Sequence, residues 1–478
     1  MPTILGAGDS SSGYEVDNGL LFNGVNQWMT HTRGTATDEK LFTFSAWVKV
    51  GQAGILENGT LFGSGDDGNG YVGDALMIQT NGLTKQGDHN PTTDNHNVRT
   101  TAVQRDPAAW VHIVCAADST QGTASNRIKL YINGTQQTSF AASTYPSQNT
   151  TFDCNTNGQV LNIGRVQNGE NRVYFDGYMA EVNFIDGQQL TPSSFAETND
   201  DGEWVPKKYD GTYGNNGFFF EFQQTGTSAN ASGIGADTSG NGNHFAVNNM
   251  GANSPTLDTP TNNYCVLNQL YRATTGSTAR PTITGGNISV ARVADASTQG
   301  TFGVASGKWY YEVRFNSGQV DGYPQIGWSK AGSVNNGQMV GFHTPSGSNY
   351  RGKVAGTVIS NAFDGTISSN DIMGFYMDVD NGTLIVHKNG SDFMGSGATN
   401  GLDFSSASFS PDTGFFHPHY NTNANSAHSE DFNFGGAISF TVSSSNADAN
   451  GHGKFEYNPT IGGVNYYALN SKNLAEFG

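Results

Sequence analysis

The chain has 478 residues, a formal net charge of −18, 63 glycines, and charged side chains at only 13% of positions. That length allows two or more domains, and the acidic balance disfavours nucleic-acid backbones and anionic membrane surfaces as partners. Three cysteines without motif spacing (Cys115, Cys154, Cys265) argue against a disulfide framework or a zinc site, and no apolar run of about 18 residues marks a transmembrane helix. The opening "MPTILGAGDSSSGYEVDNG" lacks the basic-then-apolar form of a Sec signal, so synthesis in a cytoplasm without export by that route is expected.

In chain order, short strands rich in Val, Ile, Phe, Tyr and Thr alternate with Gly/Asn/Asp/Ser turns, which predicts an all-β protein. "GLLFNGVNQWMTHT" from Gly19 is followed by "FTFSAWVKV" (Phe42 to Val50) and "WVHIVCAAD" (Trp110 to Asp118). "IKLYINGTQ" (Ile128 to Gln136) alternates apolar and polar residues and ends in Asn133-Gly134, the dipeptide that suits a type I′ hairpin. "LNIGRV" and "VYFDGYMAEVNFIDGQQLTPSSF" (Val173 to Phe195) follow, with Thr191 and Pro192 placed to start one short helix. This order of phrases resembles the laminin-G-like, concanavalin-A-type jelly roll over about 180 residues. The family's usual Asp in the closing strand is replaced here by Ala180.

An aromatic strand and a polar turn, "FFFEFQQTG…ADTSGNGNHFAVNN" (Phe218 to Asn249), resemble a pair that opens the domain in many relatives. They are expected to complete the same sandwich, giving a first domain of residues 1–258. A linker at 259–265 is expected from "SPTLDTPTNNY" (Ser254 to Tyr264), where Pro255 and Pro260 resist regular structure.

The second half reads "GVASGKWYYEVRF" (Gly303 to Phe315), "PQIGWSK" (Pro324 to Lys330), "DIMGFYMDVDNGTLIVHKNG" (Asp371 to Gly390), "FFHPHY" (Phe415 to Tyr420) and "EDFNFGG" (Glu430 to Gly436). These phrases resemble a SPRY domain in order and content, expected over 266–463. "HPHY" departs from the more apolar family pattern. The resemblance implies two concanavalin-A-like antiparallel β-sandwiches in tandem and explains why an Asn-Gly hairpin recurs at Asn389-Gly390. Residues 464–478 are expected to act as a C-terminal assembly tail, because their aromatics and leucines would be costly in water. The combination resembles virion proteins of marine bacteriophages, labelled tail-fibre or structural proteins. That resemblance implies a place on the virion exterior, other virion proteins as partners, and a homo-oligomer, with a trimer as the guess from the phage setting.

Chemistry is sparse. The Glu-x-Asp-x-x-Glu run of β-glucanase relatives is missing; Glu181 and Asp186 are five apart and point oppositely, and phosphate loops, nucleophile elbows and HExxH runs are not found. No enzymatic activity and no required cofactor are expected. Asp237, Ser239 and Asn241 alternate as in the first half of a calcium loop, without its terminal Glu; a turn that satisfies its own backbone is the competing reading. The polar loops around Asp66, Asp67, Tyr71 and His89, together with Tyr323, Tyr350, His417, His419 and Tyr420, are candidates for binding a host-surface carbohydrate or protein. A purely structural connector and a polysaccharide depolymerase are the alternatives.

Overall fold

The computed structural model describes the chain apart from residues 1–12, 52–58, 67–71, 89–94, 169–170, 275–280, 292–295, 317–324, 331–337, 344–349, 406–414 and 423–428. Two compact units adjoin in sequence at Thr261 and Asn262. Both are antiparallel β-sandwiches. Among the described residues no helix is long and apolar enough to cross a membrane.

In the first unit, one sheet runs Thr135–Gln136, Ile128–Ile132, Trp110–Asp118, Leu41–Val50, Asp176–Asp186, Gly19–Asn23, Pro255–Thr256, with Phe218–Phe220 also paired to Asp176–Asp186. The other runs Phe140–Thr144, Asn95–Thr100, Gly82–Asp88, Val72–Gln79, Gly59–Asp66, Val160–Ile163, Trp28–Thr32, Ala246–Asn248. Period-two alternation dictates the core: Phe42, Phe44, Ala46 and Val48 of one strand face inward and pack with Phe62, Phe152 and Phe184. Phe42 stacks on Phe184 at 5.4 Å and meets Phe152 edge-on at 5.2 Å. The late strands Phe218–Phe220 and Ala246–Asn248 thus pair with both sheets of this unit.

The second unit has a seven-stranded sheet ordered Leu267–Thr274, Ala296–Gly300, Phe416–Thr422, Gln325–Lys330, Met339–His343, Arg351–Val354, Thr357–Ile359. Its partner sheet is ordered Thr282–Thr284, Ser289–Ala291, Ser429–Asn433, Lys308–Phe315, Ile372–Asp378, Thr383–Lys388, Ser391–Asp392. Trp309, Tyr311, Val313 and Phe315 point inward against Trp328, Phe342, Phe375 and Phe432.

Four expectations change. The Thr191–Phe195 helix is a single 3₁₀ turn, Pro192–Ser194, and Thr191 makes no side-chain cap; its hydroxyl bonds Ser193 instead. Pro255–Thr256 is an edge strand on Gly19–Leu20, as a proline permits where its missing N–H is not needed. Residues 259–265 are packed rather than free: the Thr261 hydroxyl accepts the Val16 N–H at 3.0 Å, and Tyr264 and Cys265 are buried in the second unit. The tail is likewise built in: Tyr467–Ala468 runs parallel to Trp309–Tyr310, and Tyr466, Leu469 and Leu474 are buried in their own unit. The apolar groups that suggested an assembly element are therefore already covered within the chain.

Candidate functional site

The inward face of the seven-stranded sheet carries Tyr420, Ile326, Trp328, Val340 and Phe342. Alternation sends the intervening residues to the opposite face, and strand register lines them up in two cross-strand rows. One row reads Gln299, His419, Gly327, Gly341, Lys353. The next reads Ser297, Asn421, Gln325, His343, Arg351. Neither row contains a carboxylate or a large apolar group.

The two glycines sit directly opposite each other, and neither could gain a side chain. A Cβ on Gly327 would press on the Val340 carbonyl and, at 2.6 Å, on the Cα of Gly341. They put two positions without side chains between His419 and Lys353, and both glycines are themselves buried.

The polar groups around these glycines are buried yet incompletely bonded. Gln299 Nε2 donates to Ser329 Oγ at 2.6 Å and to the Lys330 carbonyl at 2.8 Å, which leaves its Oε1 unpaired. Ser329 Oγ lies 3.0 Å from His419 Nδ1. With Ser329 accepting from Gln299, a Ser329 hydroxyl that donates to Nδ1 leaves the His419 proton on Nε2. Burial, with the Lys353 ammonium nearby, lowers His419 to about 3, so the ring is neutral at pH 7. Its Nε2–H has no partner, and neither Nε2 nor Oε1 of the fully buried Gln325 has one. Lys353 is 6% exposed and makes no hydrogen bond or ion pair with a described residue. Burial first, then Lys353 and Arg351, lowers His343 to about 4. Each unpaired buried polar group costs about 1–3 kcal/mol, and such groups are rare in native interiors. Such atoms occur in both units; on this face they are Gln299 Oε1, both Oε1 and Nε2 of Gln325, His343 Nδ1 and His419 Nε2.

Of the residues singled out from sequence, His417 and His419 share this face. His417 is held by its Nδ1 against the Gly300 carbonyl at 3.1 Å. Among the described residues no cluster of His, Cys, Asp and Glu fits a metal ion. Tyr420 and Tyr350 are corrections to a surface role. Tyr420 is fully buried on the core side, as its odd offset from His417 and His419 demands, and Tyr350 stacks on Phe342 while its hydroxyl accepts the Ile367 N–H at 2.9 Å. Asp67, Tyr71, His89, Tyr323 and the side chain of Asp66 lie outside the described residues. Gln299, Gln325, Ser329, His343 and Lys353 were not anticipated. Their signal was neutral polar residues and glycines where a surface strand more often carries charges.

The calcium reading of Asp237, Ser239 and Asn241 meets a filled carboxylate. Asp237 Oδ1 accepts the N–H groups of Phe219 (3.0 Å) and Ser239 (2.8 Å), and Oδ2 accepts that of Asn243 (2.8 Å). The Asn241 amide donates to the carbonyls of Gly214 and Gly217. These are the bonds of a self-satisfied turn.

The first unit offers less. Inward from Asp66, the Asp74 carboxylate pairs with the Lys85 ammonium, which lies 2.9 Å from His96 Nε2, all three fully or nearly fully buried. Burial would raise Asp74, but Lys85 overrides it and holds the carboxyl well below the usual range. The outer face of the other sheet is closed: Trp47 stacks on His112 at 5.0 Å, and Trp204 Nε1 donates to His112 Nδ1 at 3.1 Å.

A family model described as the concanavalin A-like lectin/glucanases superfamily matches residues 23–196. No protein among the curated ones matches the chain. Among solved structures, a heptameric SAP-like pentraxin from Limulus polyphemus is 15% identical, with 37% of this chain and 78% of that one covered and a TM-score of 0.28. The SPRY domain of human HERC1 is 11% identical (32% and 91% covered, TM-score 0.25). The PSpry domain of TRIM65 is 12% identical (35% and 91% covered, TM-score 0.26).

Proposed function

We propose that the chain is a non-enzymatic binding protein on the exterior of a bacteriophage virion, and that it engages a host-surface saccharide through the polar face of its second sandwich. The observation that carries the binding role is the unpaired amide of Gln325 beside the unpaired Nε2–H of His419, both buried. A saccharide hydroxyl both donates and accepts, which is the complement such a pair lacks. The concanavalin A-like match over 23–196 agrees with a lectin-type architecture for the first unit. The non-catalytic part of the reading comes from the sequence, in which the Glu-x-Asp-x-x-Glu run of β-glucanase relatives is not found. The virion assignment rests on the resemblance of the paired sandwich motifs.

Adsorption of the purified full-length chain to host cells and to a glycan array tests the reading. Gln325→Ala and His419→Ala should each weaken adsorption at least tenfold while melting as separate units like the parent. Undiminished adsorption by both variants moves the site elsewhere. No adsorption by a correctly assembled oligomer favours a structural connector, and release of reducing ends from host capsule makes the protein a depolymerase.

A further inference from the structure

Asp74, Lys85 and His96 belong to three neighbouring strands of the first unit, Val72–Gln79, Gly82–Asp88 and Asn95–Thr100. Alternation turns their side chains the same way as Leu76, Leu83 and Val98, into the core between the sheets. Leu76 is the residue directly opposite Lys85, so Asp74 reaches Lys85 diagonally. Gly87, opposite His96, makes the grouping possible: a Cβ there would fall on the His96 ring. Lys85 Nζ contacts Asp74 Oδ1, and His96 Nε2 lies 2.9 Å from Nζ and 3.5 Å from the same Oδ1. An ammonium only donates, so Nε2 presents its lone pair to Nζ. The other carboxylate oxygen, Oδ2, accepts the Cys154 N–H at 3.3 Å. The Phe152 ring covers Nζ at 5.5 Å and meets the imidazole edge-on at 6.2 Å. An amine against a carboxyl group, a base within reach of both and a donor on the spare oxygen, all without solvent exposure, are more than an ion pair needs.

We propose that Lys85 and Asp74 condense in the folded chain to an Nζ–Cγ amide, an intramolecular cross-link that releases one water. The ion pair is the starting state. His96 Nε2 takes one proton from the ammonium and passes it to Oδ1, which leaves a free amine beside a neutral carboxyl. That transfer removes two charges at once, and burial favours the neutral form of each group. Because Lys85 holds Asp74 ionised, the neutral pair is the minor form, and condensation follows folding slowly. The Nζ lone pair then attacks Cγ. Oδ2 carries the negative charge that develops, with the Cys154 N–H against it. A second proton moves from Nζ through Nε2 to the Oδ1 hydroxyl, the Cγ–Oδ1 bond breaks, and Oδ1 departs as water. Oδ2 remains as the amide carbonyl, and Nζ keeps one hydrogen. An ammonium and a carboxylate thus become an amide and a water, and nothing is oxidised or reduced. Fixed contact stands in for chemical activation, since well-oriented intramolecular pairs react with effective molarities of about 10⁵–10⁸ M. All three cysteines are free and buried, so this brace is covalent yet indifferent to reductant.

Tryptic mapping of the full-length chain, folded and aged before denaturation, tests the cross-link. Trypsin does not cut after a lysine whose Nζ is acylated, and Lys85 is the only tryptic site between Lys49 and Arg99. Peptide 50–99 is therefore expected uncut and lighter by one water, with backbone fragments missing between residues 74 and 85. Peptides 50–85 and 86–99 at their full sequence masses overturn the proposal and leave a buried ion pair. Loss of one water that mild alkali reverses, with cleavage after Lys85 retained, also overturns it, because that marks a succinimide at the Asp67-Gly68 dipeptide. Asp74→Ala should restore cleavage after Lys85 at full sequence mass. His96→Gln should slow appearance of the linked peptide at least tenfold when it is followed from cell-free synthesis. Appearance at the parental rate overturns the proton-carrying role of His96. The digest of the parent decides the cross-link by itself if either variant fails to fold.

Discussion

Asn389 and Ile372 exchange two hydrogen bonds: the Asn389 N–H donates to the Ile372 carbonyl at 2.8 Å, and the Ile372 N–H donates to Asn389 Oδ1 at 2.9 Å. Asn133 and His112 do the same in the first unit, at 2.9 and 2.8 Å. Both Asn-Gly pairs have positive φ at both residues (45° and 75°; 50° and 76°). Each turn thus ties its hairpin to the preceding strand. An aromatic ring from a later segment closes over each glycine: Trp204 over Gly134 and Tyr457 over Gly390.

Gly134→Ala and Gly390→Ala should therefore each destabilise their own unit. A Cβ would meet the Trp204 ring at 3.0 Å or the Tyr457 ring at 2.6 Å, on top of about 1–3 kcal/mol for a non-glycine residue held at positive φ. Separate melting transitions for the two units, with only the mutated one lowered, are the expected readout.

How much of this was legible follows from what alternation encodes. "IKLYING" and "LIVHKNG" announce their faces and turns because strand period and turn chemistry are local. The polar face was not legible. Gln299, His419, Gly327, Gly341 and Lys353 sit on five different strands; the last three follow one another in the chain, but the His419 strand inserted between 296–300 and 325–330 comes from about 90 residues further on, so only register joins the row. Tyr420 was misread for a related reason. Its face depends on a one-residue offset from two histidines, which becomes decisive only when one side of the sheet is known to be core. Asp237 was ambiguous because a calcium loop and an Asx-type turn place oxygens at the same spacing; only the direction of three N–H groups separates them.

The melt of the first unit should be indifferent to chelator. Asp237→Ala should lower its stability by about 1–3 kcal/mol, because three N–H donors lose their acceptor. The loss should be the same in EDTA and in calcium. A calcium-dependent gain in melting temperature that Asp237→Ala abolishes would restore the metal reading.

The ion pair between Lys49 and Asp258, 2.7 Å apart and both buried, fastens the Pro255–Thr256 edge to the sheet; Trp110 Nε1 also donates to Asp258 at 2.9 Å. Asp258→Asn keeps the shape but removes the negative charge from a buried pair, a change that costs up to about 3–5 kcal/mol. Adding Lys49→Met should recover part of the loss. A single variant as stable as the parent in urea would show that water already reaches the pair.

Glu312 gives the second unit a pH dependence. Its carboxylate accepts from Tyr310, Tyr457, Glu456 and Asn433 at 2.8–3.0 Å, yet burial outweighs these bonds and raises it to about 7. A carboxyl whose folded value lies above its unfolded one contributes stability below the unfolded value, and that contribution is lost as pH rises through the folded one. The second unit should lose on the order of 3 kcal/mol between about pH 4.5 and 7 from this group. Glu312→Gln should flatten that slope and also lower stability throughout, because an amide cannot accept from donors at both ends. An unchanged slope in denaturant titrations at pH 5 and 8 would assign it to another group.

Deletion of residues 464–478 separates an element of the fold from an element of assembly. Tyr467 and Ala468 add a parallel strand to Lys308–Phe315, and the Cys265 N–H donates to the Leu469 carbonyl at 2.9 Å. Asn470 caps the terminal helix Ser471–Phe477 by accepting the Asn473 N–H at 2.8 Å, and the Ser306 hydroxyl donates to the Phe477 carbonyl at 3.0 Å. Burial of Leu469 and Leu474 alone contributes about 3–6 kcal/mol at roughly 1.5–3 per side chain, against about 5–15 for a whole domain. Removing the segment also uncovers Tyr376, whose ring meets that of Tyr466 edge-on at 5.3 Å. The truncated chain should therefore aggregate or melt well below the parent as a monomer, with the first unit unaffected. A truncated chain that keeps its second-unit melting temperature but no longer self-associates would return these fifteen residues to an assembly role.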